Sequence, residues 1–164
     1  MLKKKISVCL LAIILAGCSA ALTATILMYL DDALQILNQV NQYVGIIPPI
    51  AANYFVAVAG CVSLAATETA STDPPQVQYQ KVVAQCAMLV KVDLPGVPQA
   101  LVDLAATLAI KIEGIIAKFQ TPVAQAKLAS AKAPMKLSAK DRIHLMEIVT
   151  QANGLKDSIA KKVK

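Results

Sequence analysis

The sequence predicts an all-α fold, an up-down helical bundle of about four helices plus a C-terminal helix. Three observations carry this. The chain is 57 % hydrophobic with only 4 % aromatic residues and no tryptophan, and it is rich in Ala, Leu, Gln and Lys, which are good helix formers. Its apolar residues recur at steps of three and four, the period of a helix face. Proline and glycine gather at a few places, Gly45 to Pro49, Asp73-Pro74-Pro75, Leu94 to Pro98 and Thr121-Pro122, leaving segments of helix length between short turns.

The first segment, about 20–45, places Ile26, Leu30, Ala33, Leu37, Val40 and Val44 on one stripe and Asp31, Gln35, Asn38 and Gln42 on another. Gly45 followed by Pro48-Pro49 ends it, because glycine accepts a left-handed cap and proline cannot continue the hydrogen-bond ladder. The second segment, about 49–70, lies in a stretch, 33–67, without any charged side chain. Such a helix is either the central member of a bundle or a membrane span, and Gly60, Ser63 and Asn53 suit close helix packing in both settings. The first is preferred.

A third helix is expected from Asp73, with its carboxylate as cap, Pro74 in the first helical position and Gln76 at capping-box spacing. It should carry Val82, Val83, Cys86, Leu89 and Val90 inward and run to Val92, before Leu94-Pro95-Gly96-Val97-Pro98 breaks it. The fourth, about 98–119, alternates Leu101, Leu104, Leu108, Ile112, Ile115 and Phe119 with Asp103, Thr107, Lys111, Gly114 and Lys118. After Thr121-Pro122, residues 121–137 read as an Ala/Lys/Pro-rich connector or frayed helix. A last helix should start at the cap Ser138, run through Ile143, Met146 and Val149, and loosen or end at Asn153-Gly154. The organisation is therefore 1–17 as a leader, 18–120 as the bundle, 121–137 as the connector and 138–164 as a basic C-terminal helix.

The leader has its own logic. Lys3, Lys4 and Lys5 precede an apolar run from Ile6 to Leu15, the charged start and short hydrophobic core of a secretory signal. It closes on Leu15-Ala16-Gly17-Cys18, which resembles the lipobox of bacterial lipoproteins. The resemblance covers this segment alone. It implies cleavage between Gly17 and Cys18, a diacylglyceryl thioether with attached fatty acid such as palmitate on Cys18, and a location in the cell envelope. By resemblance to the lipoprotein sorting rule, Ser19 favours the outer membrane, facing the periplasm, in a host with two membranes. The competing expectation is an uncleaved span, since no charged residue occurs from Ile6 through Leu30 and roughly 20 apolar residues suffice.

Setting aside Cys9 in the leader and Cys18 under the lipid leaves Cys61 and Cys86. In an exported protein a leftover pair points to a disulfide. The two are equidistant from the turn at Asp73-Pro74, so two helices running antiparallel from that turn would set them side by side. Two buried free thiols are the alternative.

The net charge of +6 includes the three leader lysines. The remainder is polarised: residues 18–110 carry two lysines against six acids, and residues 111–164 carry eleven basic residues against four. Lys127, Lys132, Lys136, Lys140, Lys161, Lys162 and Lys164 are candidates for contact with an anionic surface such as phospholipid headgroups, lipopolysaccharide or cell-wall polymer, with a solvated, partnerless tail as the plainer alternative. The absence of interleaved aromatics and the expected location argue against nucleic acid.

For chemistry the chain offers little. His144 is the only histidine and reads as a surface residue. Asp31 and Asp32 are adjacent, hence about 100° apart on a helix, and read as a solvated face. No phosphate-binding glycine loop, metal-ligand spacing or CxxC pair occurs, and no cofactor is called for. The sequence thus predicts a non-enzymatic envelope lipoprotein, tethered through Cys18, that acts by contact with envelope components or another protein. Two alternatives stay open: a membrane-inserting small channel or holin-like protein with 46–67 as a span, and a carrier of an apolar ligand between the helices.

Overall fold

Five helices and one 3-10 turn build the chain in the computed structural model, which describes the backbone of residues 2–43, 45–129 and 137–161 and the side chains of 20–43, 45–122 and 137–161. They are α1 (Leu2–Gln42), α2 (Pro49–Ala70), α3 (Pro75–Cys86) with the 3-10 turn Ala87–Val90, α4 (Gln99–Ala129) and α5 (Ala139–Lys161). Among the described residues there is no strand.

α1 runs without a break through the segment expected to be a leader and on into the bundle. Its expected stripe is real: Ile26, Leu30, Ala33, Leu37 and Val40 are fully buried, while Val44 lies outside the described residues. α2 starts where Pro48, extended, and Pro49, at the first helical position, allow it. It is the central helix, touching α1, α3, α4 and α5. Alanine at Ala51, Ala52, Ala59, Ala65 and Ala66, all fully buried, gives it the slim profile that close neighbours on several sides require.

α3 departs from expectation at both ends. Pro74 is the capping residue and Pro75 takes the first position, without any side-chain cap, so neither Asp73 nor Gln76 caps. The Asp73 carboxylate instead accepts a hydrogen bond from Lys81 at 2.6 Å. The helix tightens at Ala87–Val90 rather than running to Val92, as helix ends commonly do when the next residues cannot continue. Val82, Cys86 and Leu89 are buried, but Val83 and Val90 only half so.

α4 passes the expected stop at Thr121-Pro122 and reaches Ala129. Proline removes one ladder bond and crowds the preceding turn, yet the following Val-Ala-Gln-Ala-Lys-Leu-Ala run resumes with strong helix formers. The expected connector is therefore helical over its first half, and residues 130–136 lie outside the described set. α5 begins at a reciprocal cap: the Asp141 amide donates to Ser138 Oγ at 3.1 Å, and the Ser138 hydroxyl donates to Asp141 Oδ2 at 2.7 Å. It does not end at Asn153-Gly154. Its buried stripe is Leu145, Ile148, Ala152, Leu155 and Ile159, whereas Ile143 and Met146 are 60 % and 70 % exposed. That stripe extends past Gly154, which explains why the helix does too.

Paired side chains fix the directions. Asp32 meets Lys111 and Tyr29 lies against Gly114, so α4 is antiparallel to α1. His144 meets Asp31 and Ser158 meets Asn41, so α5 is parallel to α1. Cys61 meets Cys86 and Glu68 meets Lys81, so α3 is antiparallel to α2. Contacts join α5 to α1 and α2, and α3 to α2 and α4, but among the described residues none joins α5 to α3 or α4. The bundle is thus layered, with α1 and α2 between α5 on one side and α3 with α4 on the other. One end, the base, holds the α2–α3 turn and the start of α5, and α1 begins well beyond it. The other, the tip, holds the α1–α2 turn, the 91–98 loop and the end of α5.

Candidate functional site

Asp31 and Asp32 are the only charged residues between Lys5 and Glu68, and neither is simply solvated. Their angular separation aims them at different layers. Asp31 faces α5, where His144 Nε2 lies 2.9 and 3.0 Å from its two oxygens. Asp32 faces α4 and accepts a 2.6 Å hydrogen bond from Lys111, whose ammonium also lies 5.7 Å from the centre of the Tyr29 ring. Lys111 and Gly114, expected on the outer face of α4, therefore meet α1. A Cβ on Gly114 would come within 2.8 Å of Tyr29, so glycine is what lets the ring lie there.

The Asp31–His144 pair borders an open groove of about 1060 Å³ between α1 and the start of α5. Ala20, Ala24, Leu27, Met28 and Ile143 form its apolar walls, with Ser138, Asp141 and Glu147 at its polar side. Serine, histidine and aspartate thus share one groove, but the Ser138 hydroxyl donates its proton to Asp141 in the helix cap. Its role in this geometry is structural. Among the described residues no group of three His, Cys, Asp or Glu gathers as a metal site.

Two further clusters lie elsewhere. Glu68, buried on α2, accepts from Lys81 at 2.9 Å through Oε1, while its Oε2 is buried without a hydrogen-bond partner among the described residues. The same ammonium reaches Asp73; this hydrogen bond and the adjacent charge hold the Asp73 carboxyl below its ordinary value, and the bonds to Asp73 and Glu68 raise the Lys81 ammonium. Tyr54, in the uncharged stretch of α2, donates its hydroxyl to the carbonyls of Leu89 and Ala105 at 3.0 and 3.2 Å. It ties α2 to the 3-10 turn and to α4, and burial pushes its phenol up to about 12.

Tyr54 carries a pH prediction. An unfolded tyrosine titrates near 10, so above about pH 10 the unfolded chain loses a proton that the folded chain keeps. The contribution is complete below about pH 10 and is lost as pH rises toward 12. Thermal melts should show a steeper alkaline fall for the native chain than for Tyr54→Phe. At neutral pH that variant should cost about 1 kcal/mol through the lost hydrogen bond.

Cys61 and Cys86 are joined, with Cα atoms 5.4 Å apart. The side chains of Cys18 and Lys127 lie outside the described set, as do Lys132, Lys136, Lys162 and Lys164. The two described lysines of the candidate anionic-surface group do not share a face: Lys140 is exposed at the base and Lys161 is exposed at the tip, about 31 Å along α5. Physical separation along one straight helix divides that group into two.

The tip carries what the sequence did not single out. Tyr43, Ile46 and Ile50 are exposed there, Ile46 at 70 %, and Met88 on the 3-10 turn at the same end is 82 % exposed. The fold and these surfaces define an all-α helical bundle. No protein-family model, curated protein or solved structure matches the chain.

Proposed function

We propose that the chain is a non-enzymatic envelope lipoprotein, anchored through a diacylglyceryl group on Cys18 and presenting its bundle as an interaction module. The observation that carries this is Leu15-Ala16-Gly17-Cys18 behind three lysines and an apolar run. Two features support it. The Cys61–Cys86 bridge suits a chain that folds outside the reducing cytoplasm. Cleavage before Cys18 leaves Ala20–Gln42 intact, and that span carries the buried stripe Ile26, Leu30, Ala33, Leu37 and Val40.

Membrane insertion is the second reading, favoured by the length and apolarity of Ala20–Gln42 and Pro49–Ala70, each sufficient to cross a bilayer. Against insertion, Asp31 and Asp32 sit mid-helix with their partners on α5 and α4, and over half of the apolar window of α2 is buried by other helices. Cys18→Ala should release the folded protein from membranes on high-salt and carbonate washing, and should shift the intact mass by loss of the lipid. Full retention of that variant would reject the anchor; labelling of introduced cysteines on opposite sides of 46–67 would establish the span.

A further inference from the structure

We infer that the outer face of α5 is a dimer seam, on which a second copy of this chain packs its own α5 in parallel. The seam is argued from the side chains of α5 itself; its strength on a membrane rests on the lipid anchor proposed above.

α5 packs on α1 and α2, and among the described residues its other side meets no helix. That free side is not an ordinary polar one. Ala139, Ile143, Met146, Thr150, Asn153 and Asp157 are all exposed and recur at steps of four and three, the a and d positions of a two-helix seam. They lie opposite the buried stripe that starts at Leu145 and ends at Ile159. The helix therefore has two seams, and its own bundle uses one. Ile143 and Met146, the two large apolar side chains of the outer one, border a shallow groove of about 410 Å³ together with Glu147, Thr150 and Gln151. Such a gap between side chains is what receives the knob of a facing helix.

Charge selects a second copy and its direction. Arg142 and Glu147 are both exposed and flank the seam on opposite sides, at a g position and the e position that follows it. Parallel helices bring that g of each chain to that e of the other, so Arg142 meets Glu147 of the second copy, and the two-fold axis makes the pair twice. The next such pair sets half-buried Val149 beside Gly154. A Cβ on Gly154 would meet nothing within 4 Å in its own chain, so the bundle gives no reason for a residue that weakens an exposed helix; the second copy's valine does. Asp157, the one charge in the seam, falls beside Lys156 of the second copy, and only Lys156 opposite Lys161, near the tip, is unfavourable. Reversing one helix brings each flank against itself, Glu147 on Glu147 and Arg142 on Lys156, and sets Ile143 against Asn153. The parallel arrangement instead stacks Ile143 on Ile143 and Met146 on Met146.

Two copies tethered to one membrane through the same residue stand side by side and point the same way, which is the direction the charges choose. The apolar part of the seam is short, well below the roughly 800 Å² per partner of a stable free dimer. Confinement to a bilayer raises the effective concentration and populates the pair.

The test uses the full chain with Thr150→Cys, extracted with its lipid and reconstituted into phosphatidylcholine vesicles. Cys61 and Cys86 are bridged and Cys18 is under the lipid, so the introduced thiol is the free one, and parallel pairing sets it facing its twin. Mild oxidation should link the chains into dimers. Gln151→Cys, exposed but off the seam, should link several-fold less. Adding Ile143→Ser with Met146→Ser should cut the linkage at 150 about tenfold or more. Arg142→Glu should cut it several-fold, and adding Glu147→Arg to Arg142→Glu should restore it, because the exchange rebuilds both pairs. All these positions are exposed, so circular dichroism should be unchanged. Equal linkage at 150 and 151, linkage indifferent to Ile143 and Met146, no rescue by the exchange, or monomers alone on vesicles that retain the protein would overturn the inference. Protein shed from the vesicles refutes the anchor instead, and the same linkages measured on the concentrated Cys18→Ala chain then decide the seam.

Discussion

Phe55→Ala will lower the unfolding free energy by about 3–5 kcal/mol, the largest loss expected from any single substitution in this bundle. Phe55 is fully buried and is the bulkiest such side chain in the core. Its ring meets that of Tyr54 edge-on, with centroids 5.5 Å apart and planes at 76°, a geometry worth about 1 kcal/mol beyond burial. The cost of a truncation depends on whether neighbours can collapse into the space. Along the same helix the buried neighbours are Ala51, Ala52, Val58 and Ala59, short side chains with no reach to fill a hole. The loss should therefore fall in the upper half of the range. Urea unfolding should show a lower midpoint at an unchanged slope, and Phe55→Leu, which keeps most of the volume, should cost about 1 kcal/mol. A small effect of Phe55→Ala would mean that α2 is not the packed centre of the fold.

The residues that made the bundle legible are those whose local chemistry and tertiary role agree. Pro48-Pro49 starts α2, Ser138 caps α5, and the stripe Ile26 to Val40 is the buried face of α1. Errors came where local signals were outvoted. Pro122 reads as a break, but the helix formers after it outweigh one missing bond. Gly154 also reads as a break, yet Ala152, Leu155 and Ile159 continue the buried stripe of α5 on both sides of it. On that helix Ile143 and Met146 are apolar and three apart, and Leu145 and Ile148 have the same spacing on another face; only the second pair is buried. Periodicity alone cannot choose between two apolar faces.

The polar contacts were readable in part. Asp31 and Asp32 stand alone in an otherwise uncharged stretch from Ile6 to Thr67, and a charge isolated on a packing helix demands partners. Which partners it finds depends on the layering of α4 and α5, which no spacing along the chain encodes. The exposed tip was hidden for the opposite reason. Ile46 and Ile50 lie in an uncharged run, where burial is the natural expectation, and only the completed core of α1 and α2 shows that none of the described residues covers them.

Removing the Cys61–Cys86 bridge is the second large effect, about 3.5 kcal/mol for a sequence separation of 25 residues on the chain-entropy model. Both cysteines are fully buried, and a reduced thiol behaves as a small hydrophobe. The folded state should therefore change little, with the loss arising because the unfolded chain regains the freedom of a closed loop. Urea unfolding with and without reductant should separate the midpoints of the native chain and leave those of Cys61→Ala with Cys86→Ala together, near the reduced value. The bridge also joins the middle of α2 to the end of α3, midway between the Glu68–Lys81 and Tyr54–Leu89 contacts, so amide exchange in α3 should rise more than in α1 or α5. It further reports where the chain folds. A disulfide forms in an oxidising compartment, so protein whose export is blocked should accumulate with free thiols at 61 and 86, and the lipid-bearing form should carry the bridge. Free thiols in the membrane-extracted protein would separate the anchor from the bridge and remove the support that each lends the other.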